Sequence, residues 1–234
     1  MRLIFRTNEE LELMNYWGMI NSNSYGNYDN ALPKELIKKI RNKPFESSKG
    51  IIKKQADKDY KEYEDKIKAV IKETKKAWKL IDEEFYKRLE KIFKKPFLAK
   101  KVTVYVTPLR RCNYNYNKKA PFFKISARST PPNPQIMIAA HEQIHFMFHW
   151  HYQEYCEEKL TKEATGHLKE ALTFLINEEF KDLIKQEDKG YEEHKELREK
   201  LTKEWRKNKD FNKFLEKAII ITKKWFKKKK TPSS

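Results

Sequence analysis

Between Ile136 and Trp150 the chain reads Ile-Met-Ile-Ala-Ala-His-Glu-Gln-Ile-His-Phe-Met-Phe-His-Trp, without Gly, Pro or Lys. As a helix this segment is apolar on nearly every side, and such a helix belongs inside a protein. Four of the six histidines of the chain nevertheless fall within the eleven residues from His141 to His151. A buried helix carrying His141, Glu142 and His145 must satisfy those groups or lose on the order of several kcal/mol. Positions i and i+4 share a helical face about one turn apart, so His141 and His145 point the same way. Two imidazoles at that spacing grip one metal ion, and Glu142 leans over its open side.

A metal of this kind takes a third protein ligand and keeps a position for water. The next helical stretch, Gly166 to Phe180, supplies candidates. Leu168, Ala171, Leu172, Phe174, Leu175 and Ile176 bury most of it, while Glu170, Thr173 and Asn177 form one polar stripe at three- and four-residue steps. A buried carboxylate needs a partner, and either a metal ion or a buried lysine would serve Glu170. His167, one turn earlier on the same face, is the rival ligand. Thr173, Asn177 and His149 are candidates to orient the ligands. Plain packing against Trp150 also accounts for His149.

Composition sets the surroundings. Of 234 residues, 38% are hydrophobic and 37% charged, with only five glycines, which suits a helix-rich α+β protein better than a β-sandwich. The net charge is +18, carried by 43 lysines against nine arginines. A reader of nucleic-acid sequence favours arginine, whose fork contacts bases and phosphates in pairs. Lysines interleaved with glutamates read first as solvated helix faces, and they permit nucleic-acid binding without establishing it. Two cysteines, Cys112 and Cys156, make no disulfide framework and suggest a reducing compartment. No apolar run approaches the roughly 18 residues of a membrane span, and the opening residues do not form a signal peptide. The expected location is the cytoplasm.

Taken in order, Thr7 or Asn8 caps a helix reaching about Ile20, and residues 21–30 read as a loop. A short helix follows Pro33. From Ile51 to Lys94 an unbroken charged pattern predicts a long amphipathic helix or a helical hairpin. Lys101–Thr107 and 122–128 alternate like strands on either side of an Asn- and Tyr-rich loop. The histidine helix runs from Gln135 to about Glu157, and the next from Thr161 or Thr165 to about Gln186. Gly190 breaks the pattern before helices over 192–207 and 211–227, and the lysine-rich end reads as disordered. The expected architecture is α+β and predominantly helical, with a small sheet of two or more strands ahead of the buried helix. The expected organisation is a helical region over 1–95, a core over 96–208, and a last helix with its basic tail over 209–234.

Ile138-x-x-His-Glu-x-x-His-x-Met147, followed by a glutamate on a downstream helix, resembles the zincin metallopeptidases of the thermolysin-like gluzincin group. The resemblance covers residues from about 122 to 180. It implies a hydrolase of peptide bonds holding one zinc ion on His141, His145 and Glu170. It implies Glu142 as the general base that takes a proton from water and later gives one to the leaving amine. A peptide substrate is then expected to add to strand 122–128 as an edge. Tyr191 and His194 are the expected oxyanion stabilisers, with Tyr152 and Arg128 as alternatives. Phe174 stands where that group carries an acid four places after the glutamate ligand. A second resemblance, to SprT-like proteases that act near DNA, implies His167 as third ligand, although Leu168 replaces the glycine that follows it there. The third alternative is a non-catalytic or regulatory protein on the same scaffold.

Overall fold

The computed structural model describes residues 2–22 and 32–230. The loop expected over 21–30 therefore lies largely outside the described residues, as do residues 231–234 of the basic end. The architecture is α+β and predominantly helical around a four-stranded mixed sheet. No described helix is long and apolar enough to cross a membrane.

Strand β1 (Leu3–Arg6) is followed by helices α1 (Glu9–Asn21), α2 (Lys34–Ile40), α3 (Phe45–Glu62) and α4 (Glu64–Phe93). Asn8 caps α1 through its side chain, which accepts from the Leu11 amide at 2.9 Å. The long charged pattern is two helices, broken at Tyr63, whose φ of −99° and ψ of 8° leave the helical range. Ile67, Val70, Trp78, Phe85, Leu89 and Phe93 turn one stripe of α4 into the core.

The sheet then forms from β2 (Val102–Thr107), β3 (Tyr114–Asn115) and β4 (Phe122–Ser126) in the order β1-β2-β4-β3. β1 runs parallel to β2 with Leu3 opposite Val102, and β2 parallel to β4 with Thr103 opposite Phe122. β3 pairs antiparallel with β4, Tyr114 opposite Phe123, and the Lys124 amide continues this pairing to the Asn113 carbonyl at 3.0 Å. This narrows the expectation of an edge at 122–128. The Asn- and Tyr-rich loop folds back as a strand and occupies the outer side of β4 from Phe122 to Lys124. A peptide has no free backbone edge to join there.

Helix α5 (Asn133–His151) packs on β4 and against α4, with Ala139, Ala140, Ile144, Phe146 and Met147 fully enclosed. It ends before the expected boundary near Glu157, because Tyr152 leaves helical geometry and its hydroxyl donates to the Phe93 carbonyl. After α6 (Gln153–Lys159) comes α7 (Lys162–Ala171), capped by Thr161. A 3-10 turn over Leu172–Phe174 leads to α8 (Leu175–Glu179), and the continuous helix expected to Gln186 stops here. Residues 180–191 are largely irregular and lead through a second 3-10 turn (Glu192–His194) to α9 (Lys195–Lys207) and α10 (Phe211–Lys230).

One core cluster draws on Leu3, α4, the sheet, α5, α7 and α10, so the early strand and the last helix share it with the histidine helix. A smaller cluster joins α1, α2 and α3 to Leu109. Between the two, Lys124 of β4 is fully buried, 3.5 Å from the equally buried Glu12 of α1. Its ammonium donates to the Leu11 carbonyl at 2.6 Å, and Thr107 donates to the other Glu12 oxygen at 2.6 Å. Buried charges persist only when paired and hydrogen-bonded in this way.

Candidate metal centre

On α5, His141 and His145 sit one turn apart and bring their rings to a 4.4 Å centroid separation. The last turn of α7 brings Glu170 opposite them. Its Oε2 lies 3.2 Å from Nε2 of His145 and 3.7 Å from Nε2 of His141. All three ligand atoms fall within 4.8 Å of one another. Two imidazole nitrogens and one carboxylate oxygen are the donor set that zinc accepts, so these residues fit such an ion.

The other Glu170 oxygen is held from behind. Oε1 accepts from Nζ of Lys169 at 2.6 Å, and the same ammonium donates to the Tyr114 hydroxyl at 2.6 Å. The buried lysine and the facing imidazoles thus use different oxygens of one carboxylate, and the buried lysine open to Glu170 in the sequence is Lys169. Tyr114 in turn lies 2.8 Å from Nε2 of His149, whose ring stacks on Tyr116 at 3.9 Å. His149 belongs to this aromatic chain and does not touch either ligand imidazole through a hydrogen bond.

The carboxylate that orients His141 is Asp188, in the irregular segment after α8. Its Oδ2 lies 2.8 Å from Nδ1 of His141, which leaves Nε2 facing Glu170. Such a carboxylate fixes the tautomer and direction of a ligating imidazole. Asp188 is itself clamped. Asn177 exchanges two 2.9 Å hydrogen bonds with its backbone, donating to the carbonyl and accepting from the amide. Arg198 of α9 donates to the Asp188 carbonyl at 2.6 Å and to Oγ1 of Thr173 at 2.5 Å. Thr173 completes the circuit by donating to the Glu170 carbonyl at 2.9 Å. Thr173 and Asn177 therefore do not contact a histidine ligand directly, as the polar stripe had implied. They act through Glu170 backbone and Asp188.

Gly190 makes this clamp possible. Its φ is +63°, and a Cβ there would sit 2.9 Å from the Arg198 guanidinium. Its amide donates to Oδ1 of Asp188 at 2.7 Å. Only a glycine takes that backbone conformation at such close approach without strain.

Electrostatics follow from this packing. Burial pulls the His141 imidazole down, but the Asp188 carboxylate outweighs it and carries the group up to about 10. Burial keeps His145 neutral, down to about 3. Burial acts to raise Glu170, yet His145, His141 and Lys169 around it hold it well below the carboxylate range. Asp188 is held at about 2, where His141 and then Arg198 outweigh burial. Burial pushes Glu142 up to about 7, only partly opposed by His141. Oε2 of Glu142 and Nδ1 of His145 are buried without hydrogen-bond partners among the described residues.

His141 and Glu142 open onto a cleft of about 690 Å³ whose walls include Met137, Ile138, Arg110, Cys112 and Tyr191. Tyr191, 40% exposed, reaches this cleft from the segment that carries Asp188. His194 does not. It is fully buried on the second 3-10 turn, 2.7 Å from Nδ1 of His167 and against Trp225. That pairing also separates His167 from the His141–His145 group, where Glu170 stands as third donor. Of the other oxyanion candidates, Arg128 donates to the Pro108 carbonyl and lies over the Tyr63 ring, and Tyr152 is committed to Phe93.

Comparison with known protein families, characterised proteins and solved structures finds no match. The site stands on its own geometry.

Proposed function

We propose that the protein is a zinc-dependent metallopeptidase, with His141, His145 and Glu170 as ligands and Glu142 as general base. The observation that carries this reading is the convergence of the three donor atoms within 4.8 Å beside an open cleft that Glu142 also lines. Bound there, zinc supplies Lewis acidity that brings the pKa of water toward roughly 7. Glu142 lies on the cleft side with one oxygen unengaged by protein, and its pKa of about 7 suits both taking and returning a proton near neutrality. It accepts a proton from the attacking water and delivers it to the nitrogen of the departing amine. Asp188 holds Nδ1 of His141 and keeps its Nε2 turned toward Glu170, and Lys169 fixes the direction of Glu170. Tyr191 is the one expected oxyanion donor that lines the cleft. The substrate is a peptide or unstructured protein segment lying along the cleft past Met137 and Ile138. Two free cysteines suit a reducing compartment, the cytoplasm.

The deciding experiment is metal content and proteolysis of Glu142→Gln beside the unaltered protein. The variant is expected to keep one zinc at the site and to lose cleavage of an unfolded protein substrate. Retained cleavage removes Glu142 from its role. Zinc content that His141→Ala leaves unchanged removes the metal centre and leaves a polar cluster of structural use.

A further inference from the structure

A second group of metal-competent side chains lies apart from the cleft. His167 on α7 and His194 on the second 3-10 turn face one another with Nδ1 and Nε2 2.7 Å apart, and Oε1 of Glu193 lies 3.9 Å from the same Nε2. These donor atoms also fall within 4.8 Å of one another. Both imidazoles are buried, whereas the Glu193 side chain is 39% exposed and gives the group a solvent side. The rings of Trp225 and Phe226 on α10 wall it from below, with centroids 5.3 and 5.6 Å from that of His167.

We propose that His167, His194 and Glu193 form a second site for a first-row divalent transition metal of the zinc class, with a structural role. Burial lowers the affinity of both imidazoles for protons and keeps them neutral, the form that ligates. The arrangement of Glu193 repeats that of Glu170. A lysine takes one carboxylate oxygen, here Lys229 on Oε2 at 2.7 Å, and the other oxygen faces an imidazole nitrogen. Ligand nitrogens around a tetrahedral zinc stand about 3.3 Å apart for bonds of 2.0–2.1 Å. The present 2.7 Å therefore has to widen by about half an ångström, within reach of small χ adjustments. Because Lys229, Trp225 and Phe226 all belong to α10, an ion here ties the last helix to α7 and to the turn that follows the Asp188 segment.

The test is zinc stoichiometry of the full chain by titration in competition with a chromophoric chelator, followed by cobalt absorption spectra. The first-site variant His141→Ala is expected to retain one equivalent, which disappears in His141→Ala combined with His194→Gln. Glu193→Gln removes only the charge of a side chain that is 39% exposed and leaves the core intact, so it serves where His194→Gln does not fold. It is expected to weaken the second equivalent selectively, and Lys229→Met, which frees Oε2, to change its affinity by about tenfold. The proposal is overturned if folded His141→Ala binds no zinc, or if Glu193→Gln and His194→Gln leave its binding unchanged. Failure of the peptidase reading looks different, since the unaltered protein then binds one equivalent that follows His194 and not His141.

Discussion

Asp188 lies 47 residues after His141 in the chain and 2.8 Å from it in space. A single carboxylate from an irregular segment thereby fixes the imidazole that borders the cleft, and two side chains from neighbouring helices, Asn177 and Arg198, hold the backbone that carries it.

Asp188→Asn keeps the size of the side chain and removes its charge. Zinc affinity at the His141 site is expected to fall by about ten- to a hundredfold. Equilibrium competition with a chelator measures it, and circular dichroism should show the fold intact.

Gly190→Ala places a Cβ at positive φ against the Arg198 guanidinium. The backbone term alone costs about 1–3 kcal/mol, and Arg198 must also release part of its hold on Asp188. Urea denaturation is expected to show the loss of stability, and zinc competition a weaker site. Unchanged values for both would mean that the clamp does not depend on this approach.

Glu12→Ala leaves Lys124 buried without its acid and is expected to cost about 3–5 kcal/mol. Glu12→Gln retains a hydrogen-bond acceptor for Thr107 and should cost less. Denaturant midpoints of the two variants give the comparison directly.

Alkaline pH should destabilise the protein through Tyr16. Burial first, then its hydrogen bond to Asp59 at 2.5 Å and the nearby carboxylate charges, raise this phenol well above its ordinary value of 10. A raised folded-state pKa means the unfolded chain loses its proton first. The contribution is complete below pH 10 and declines as pH climbs beyond it. Tyr16→Phe removes this part of the alkaline decline, while costing about 1 kcal/mol at neutral pH for the lost hydrogen bond. Denaturation curves at neutral pH and above pH 10 check both halves.

The candidate donor set was legible because it lies on helices, where polar residues in an apolar stretch betray their direction by spacing. His141 and His145 needed only that rule, which left Glu170 and His167 both open as the third donor. Asp188 and Gly190 lie where no period holds, and nothing in the local sequence distinguishes that buried aspartate from the acids of the surface. Lys169 was hidden by its neighbours, one lysine among 43, although its place between Leu168 and Glu170 on a buried helix was a signal. The two-residue β3 was invisible for a related reason. Tyr114-Asn115 is too short to alternate, and only pairing with β4 makes it a strand. His194 was drawn toward the cleft by its nearness in sequence to Tyr191, but the intervening turn sends the two side chains to different places.

The parallel pairing of Leu3 with Val102 also sets a timetable. On a ribosome β1 waits for about a hundred residues before its neighbour is made, and α5 follows before Asp188 and Arg198 exist. At 5–20 residues per second, roughly 10–40 seconds separate synthesis of Arg6 from that of Arg198. During that interval the apolar histidine helix emerges without the segment that later closes over it. A polypeptide stalled short of Arg198 would present that helix with no clamp to direct His141.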